Sequence, residues 1–230
     1  MCGIYGHYLF NENEEISVEK IIEKLHHRGP DSTGILKKGP LCLAHKRLAI
    51  IDLSKNGNQP LVYENLSIIF NGEIYNHNVL REKLKKANYF FDGRSDTEVL
   101  LKAFHKWGPS SIKLLEGMFA FAIFDSKNKK IILSRDLAGE KPIYYYLSKN
   151  KFAFASELKS IKITNKILDY KAISFYLSYG YFPRADTVFK SVKKIIPGTY
   201  LEFDLENKRI KSFKYLEEKL FNEKKKYKKE

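Results

Sequence analysis

The chain has 230 residues, 43% of them hydrophobic and 30% charged, which suits one large domain with a sizeable core and a solvated surface. Its net charge is +14, from 41 Lys+Arg against 27 Asp+Glu, but the lysines are scattered and the one dense run, Lys224 to Lys229, sits at the C-terminus. No basic helix with interleaved aromatics accompanies the charge, which argues against a nucleic-acid partner. Two cysteines cannot build a disulfide framework, no leader-like start is present and no apolar window has transmembrane length, so neither a membrane partner nor an oxidising compartment is expected, and the cytoplasm is the expected location.

In chain order, Gly3 to Phe10 reads as an apolar strand beginning almost at the terminus. Val18, Ile21, Ile22 and Leu25 fall at helical spacing behind Ser17, a natural N-cap. Arg28 to Ser32 is a loop, Leu41 to Ile51 a buried strand, and Leu66 to Phe70 another. Val79, Leu80, Leu84 and Ala87 form one helical stripe, and Val99, Leu100, Ala103, Phe104 and Trp107 form a stronger one. Met118 to Phe124 is a continuous apolar run, read as a strand covered on both faces, and Ile131–Ser134, Ile143–Leu147 and Phe152–Ala155 are further strands. Asp169 caps a short helix carrying Ala172, Ile173, Tyr176 and Leu177; Pro197-Gly198 is a turn, and Thr199 to Phe203 a late strand. The pattern predicts an α+β fold. Its compact part spans 2–160, 161–215 is an extension, and 216–230 is a lysine-rich, disordered tail.

Chemistry is expected first at Cys2. A small second residue permits removal of the initiator Met, and Cys2 would then carry a free α-amine whose unperturbed pKa is near ~8. One residue would supply both nucleophile and base. Read alone, Cys2 is better taken as a small residue at a frayed end. Asn71-Gly72 offers amide donors and close backbone approach, yet it is also the strongest short hairpin signal. Ser95-x-x-Glu98 ahead of the Val99 stripe is a capping box, and Asp96 beside it suits the first turn of a helix. Cys42 lies within an apolar strand and reads as an inert core thiol; His27 and His45 read as structural histidines.

The segments taken together go further. Met-Cys-Gly-Ile-Tyr-Gly opens the chain, followed by His27-Arg28-Gly29-Pro30-Asp31-Ser32-Thr33-Gly34, Ala44-His45-Lys46-Arg47-Leu48-Ala49-Ile50-Ile51-Asp52 and Asn58-Gln59-Pro60-Leu61. Phe70-Asn71-Gly72-Glu73-Ile74-Tyr75-Asn76, Ser95-Asp96-Thr97-Glu98, Gly117 to Phe121 and Ser134 to Pro142 complete the order. This series resembles the N-terminal glutaminase domain of glutamine-hydrolysing asparagine synthetases, which are class II glutamine amidotransferases. The resemblance runs from Cys2 to about Leu158, and more loosely to about Phe203. It implies a four-layer αββα sandwich of the N-terminal-nucleophile hydrolase type, with a C-terminal linker-like extension. It also implies hydrolysis of L-glutamine to glutamate and ammonia through a thioester on Cys2. By the same resemblance, Asn71 and Gly72 form the oxyanion hole, Arg47 holds the substrate α-carboxylate, Asp96 the α-ammonium with help from Glu73, and the backbone of Ile50 and Ile51 contacts glutamine. Arg28 and Asp31 are implied as structural support near the site.

The resemblance implies no cofactor or metal for this half. ATP and Mg belong to a synthetase domain or subunit that receives the ammonia. That domain's Ser-Gly-Gly-x-Asp-Ser loop does not occur in the sequence. The chain therefore reads as a fragment of a longer synthetase, a separate glutaminase subunit, or a remnant. The alternative function is a non-catalytic glutaminase-like domain serving as a binding or regulatory module. The acceptor carboxylate is not legible, and homo-oligomerisation stays open.

Overall fold

Alternation along the strands decides the architecture. In the β1 strand (Gly3–Leu9), Ile4 points to one apolar cluster and Tyr5 to another; in β3 (Leu41–Arg47), Leu41 and Leu43 join the first and Cys42 and Ala44 the second. A strand with two apolar faces must be covered on both sides, and that requirement produces layers. The computed structural model describes residues 1–11 and 14–215. Its remaining strands are β2 (Ser32–Lys38), β4 (Leu61–Tyr63), β5 (Leu66–Ile74), β6 (Gly117–Asp125), β7 (Lys130–Arg135), β8 (Tyr144–Leu147), β9 (Lys151–Ala155), β10 (Val192–Lys194), β11 (Thr199–Asp204) and β12 (Arg209–Lys214). The helices are α1 (Val18–Glu23), α2 (His77–Lys85), α3 (Asp96–Trp107) and α4 (Tyr170–Tyr179).

Two six-stranded antiparallel sheets result, in the orders β10-β8-β9-β1-β3-β2 and β12-β11-β7-β6-β5-β4. The cluster between them joins Ile4, Leu43 and Phe154 of the first sheet to Ile69, Ala122 and Leu133 of the second. Outside the second sheet, Leu80 and Leu84 of α2 and Val99, Leu100 and Ala103 of α3 pack on Ile68, Phe119 and Phe121. Outside the first, Ile21 and Ile22 of α1, with Leu25, Ile161 and Ile163, cover Tyr5 and Ala44. The fold is α+β with two stacked antiparallel sheets. Among the described residues no helix is long and apolar enough to cross a membrane.

The structure differs from the sequence pattern in several places. The strand expected to reach Ile51 stops at Arg47, because the chain then turns into a loop whose carbonyls bind the Arg47 guanidinium. The strand expected to end at Phe70 continues to Ile74, so Asn71-Gly72 lies in mid-strand, paired with Ala120 and Phe119, and is no hairpin turn. Ser17 precedes α1 without a side-chain cap bond. Ser95 does cap α3, accepting from Glu98 N–H at 3.3 Å, but the Glu98 carboxylate bypasses Ser95 and takes the N–H groups of Asp92 (2.9 Å) and Gly93 (3.0 Å).

The expected boundary near residue 160 falls inside the sandwich. β10 pairs with β8 in one sheet, and β11 pairs with β7 in the other, because Leu201 and Phe203 supply side chains to the core between the sheets. The expected tail at 216–230 lies outside the described residues.

The Phe203 ring stacks on Phe152 of the opposite sheet, 4.1 Å between centroids, with both rings fully buried. Phe203→Ala is therefore expected to destabilise the protein by ~3–5 kcal/mol, read from the urea unfolding midpoint. A change below about 1 kcal/mol would mean that β11 is peripheral to the core.

Candidate active site

The first residues are held by pairing. Gly3 sits opposite Lys46 and Ile4 opposite His45, so Cys2 meets the end of β3. Leu48 N–H donates to the Cys2 sulfur at 3.4 Å, and the thiol faces Leu48 O at 3.6 Å. Burial pushes the Cys2 thiol above its ordinary value, only partly offset by the Leu48 backbone bond and by the positive charges of the terminal amine and Arg47. A thiol in this state needs a base before it can attack.

The carbonyl of Cys2 accepts from Arg28 Nε at 2.9 Å, and Arg28 Nη1 donates to Glu157 at 3.0 Å. Glu157 also binds His27 (2.8 Å) and Lys159 (3.0 Å). Burial works to raise the Glu157 carboxyl, but the hydrogen bonds from Arg28, Lys159 and His27 prevail and hold it down at about 2. Asp31, expected beside Arg28, accepts from Ala49 N–H at 2.8 Å and so fixes the loop after β3.

Asn71 and Gly72 of β5 line the same cavity as Cys2. Asn71 is 1% exposed, and neither its side-chain oxygen nor its nitrogen has a hydrogen-bond partner among the described residues. A buried amide left unpaired is costly and calls for a ligand. A Cβ on Gly72 would overlap the Met118 carbonyl oxygen, so only glycine lets β5 lie this close to β6.

Arg47 spends three of its five N–H donors inside the protein: Nη1 on Ser54 O and Asn58 Oδ1, both at 2.8 Å, and Nη2 on Asp52 O. The other two donors have no protein partner among the described residues, and Arg47 lines the cavity. Gly57 packs flat against this guanidinium, where a Cβ would overlap Nη2. Asp96 opens α3 and accepts from Ile74 N–H and Thr97 N–H, each at 2.9 Å; burial raises its carboxyl despite those bonds.

The eight residues expected to react with or bind the substrate border one cavity. Cys2, Arg47, Asn71 and Gly72 line it, as do Asp96, Glu73, Ile50 and Ile51. His45 stands apart: it is fully buried, its Nε2 lies 3.1 Å from Phe70 O, and burial lowers it to about 3. His27 is exposed and engaged with Glu157 rather than buried. Cys42 is a buried free thiol pushed up to about 11 by burial. Among the described residues no three His, Cys, Asp or Glu side chains gather as a metal site would require.

Sequence reasoning passed over three residues. Gln59 accepts from Phe70 N–H at 2.6 Å and donates to Thr97 Oγ1 at 3.0 Å, tying β5 to α3 directly beside Asn71. Lys141 lines the cavity beside Met1. Both lie in motif segments, which was the available signal. Glu157 had none, since its partners His27 and Arg28 lie about 130 residues away in sequence.

The folded-state carboxyl of Glu157 lies below that of an exposed glutamate, near ~4.3, so its stabilisation is present above that value and is lost as pH falls toward 2. Urea midpoints of Glu157→Gln should lie below wild type at neutral pH and converge with it in acid. Parallel curves would show that the Arg28–Glu157 pair contributes nothing.

A family model described as a glutamine amidotransferase domain matches residues 1–215. A Methanocaldococcus jannaschii protein provisionally named asparagine synthetase (glutamine-hydrolyzing) 2 is 37% identical, over 94% of this chain and 47% of its own length. Asparagine synthetase (glutamine-hydrolyzing) 1 of Bacillus subtilis is 39% identical, over 86% of this chain and 33% of its own. The chain thus spans half or less of these curated relatives. Among solved structures, the glutamine phosphoribosylpyrophosphate amidotransferase of B. subtilis, complexed with ADP and GMP, superposes with a TM-score of 0.66 at 20% identity, over 94% of this chain and 49% of that one. A structure described as the allosteric regulatory enzyme of purine biosynthesis gives 0.69, also at 20% identity, over 94% of this chain and 49% of that one. These superpositions carry the fold, that of N-terminal-nucleophile amidotransferases, and the sequence matches carry the lineage: the chain belongs to the glutamine amidotransferase domain family.

Proposed function

We propose that the chain hydrolyses L-glutamine to glutamate and ammonia, with Cys2 as nucleophile once Met1 has been removed. The observation that carries this reading is the buried Asn71 amide, unpaired, in the wall of the cavity that holds the Cys2 thiol. The freed amine of Cys2 takes the thiol proton, and the sulfur attacks the side-chain amide carbon. Asn71 Nδ2 and the Gly72 N–H stabilise the oxygen of the tetrahedral intermediate. The protonated amine returns the proton to the leaving nitrogen as ammonia departs, and water then opens the γ-glutamyl thioester. The two free Arg47 donors suit the substrate α-carboxylate. Asp96, with Glu73 nearby, suits the α-ammonium, whose charge would offset the burial of the Asp96 carboxylate.

The ammonia goes to an amidation of the asparagine-synthetase kind for which the relatives are named, carried out by a domain or partner outside these residues, and ATP and Mg would serve that half. The cytoplasm suits this chemistry, because two free cysteines, one of them the nucleophile, need a reducing compartment.

The test is glutamate release by protein whose intact mass proves that Met1 is gone. Cys2→Ala should abolish it, and Asn71→Ala should lower kcat by ~10²–10³. A glutamine-like electrophile should label Cys2 once per chain. Labelling of Cys42, or glutamate release by wild type no higher than by Cys2→Ala, would reduce the chain to a binding module.

A further inference from the structure

Lys141 lines the cavity with Met1 and Cys2, and the reaction above gives it no task. It is 7% exposed. Its side-chain hydrogen bond goes to the Met1 sulfur at 3.4 Å, and no carboxylate among the described residues pairs with it. A thioether is a weak acceptor for a buried ammonium. Arg28 also approaches the Met1 sulfur, at 3.9 Å, but Glu157 neutralises that guanidinium. Lys141 has no such counter-charge.

Met1 is the residue whose removal the hydrolytic reading requires. Its departure takes away the Lys141 acceptor and leaves a new terminal amine on Cys2 in the same cavity. We propose that Lys141 acts through that amine: its unpaired positive charge disfavours the ammonium form, so that the amine is neutral and able to take the thiol proton at physiological pH. The inference rests on the hydrolytic reading. The step balances within the protein: the Sγ–H bond breaks, an N–H bond forms on the amine, and the sulfur electron pair forms the bond to the amide carbon. The resulting ammonium exists only beside the thiolate or the oxyanion, whose charge offsets it.

Other charged groups line the same cavity. Arg47 comes from the end of β3, Asp96 from the start of α3, Glu73 from β5 and Asp52 from the loop after β3. Asp136, close to Lys141 in sequence, uses its carboxylate on the N–H groups of Phe119, Glu140 and Lys141. Arg28 and His27 are matched to Glu157. All of these stay in place when Lys141 alone is changed, so a shift between variants reports Lys141. A like charge in the same cavity, at partial screening, moves a titration by about one pH unit.

The experiment is the pH profile of kcat/KM for glutamine hydrolysis by wild type, Lys141→Met, Lys141→Gln and Lys141→Arg, each with Met1 removal verified by mass. The acid limb should move up by about one unit in the Met and Gln variants, a loss of up to about tenfold on that limb that narrows as pH rises. Lys141→Arg should restore the limb. Lys141→Met keeps the apolar stem, so a packing defect would appear as a loss equal at every pH. Such a uniform loss, or an unmoved limb in both variants, overturns the inference while leaving hydrolysis intact. Wild-type protein with a proven Cys2 start that leaves glutamine untouched would instead overturn the hydrolytic reading itself.

Discussion

Everything at the site depends on the antiparallel pairing of β1 with β3. Gly3 opposite Lys46 is the last pair of that ladder, and the sulfur of Cys2 lies against the Leu48 backbone just beyond it. The other edge of β1 is held equally well, by β9 through Tyr5 and Ala155, and by Ser156, whose hydroxyl accepts from Ile4 N–H at 3.1 Å. A chain end is ordinarily the first part of a protein to fray. Here it is a central strand, two-sided in pairing and two-faced in packing. A slip of one residue would turn Ile4 out of the core between the sheets, so the hydrophobic pattern itself fixes the position of Cys2.

The second sheet delivers the other half of the site, and the two sheets are tied where they meet. His45 of β3 reaches across to the carbonyl of Phe70 on β5, one residue before Asn71. Gln59 binds the N–H of the same Phe70 and links it to Thr97 at the start of α3. Phe70 thus has both backbone groups engaged by side chains from outside its own sheet. That fixes the height of Asn71 relative to Cys2 without occupying the Asn71 amide, which remains available to a ligand.

The charges around the cavity are arranged by the same economy. Backbone dipoles and fixed partners absorb most of them: three carbonyl-type oxygens hold Arg47, two N–H groups hold Asp96, and Glu157 holds Arg28. A buried charge without such partners is expensive, and one with all its donors used cannot bind. Arg47 and Asp96 lie between these limits, anchored on one side and open on the other. The proposed grip on glutamine by its two charged ends needs groups in that state.

Much of this was legible in the sequence. The apolar runs gave most of the strands, and the stripes at Leu80 and at Val99 gave α2 and α3. The ordered motif segments gave the lineage and every residue expected at the cavity. The sequence did not determine where elements stop. β3 ends at Arg47 because loop carbonyls compete for its guanidinium, and β5 runs through Asn71-Gly72 because β6 offers a continuous partner ladder; local turn chemistry pointed the other way. Nor did it show that 192–214 belongs to both sheets, since a short strand of modest apolarity becomes core only when a facing ring such as Phe152 is there to meet it. Glu157 was invisible for the same reason, and Lys141, although inside the Ser134–Pro142 segment, carried no sign there of its missing counter-charge. A residue's chemistry is written in its side chain, but its charge balance depends on neighbours that only folding supplies.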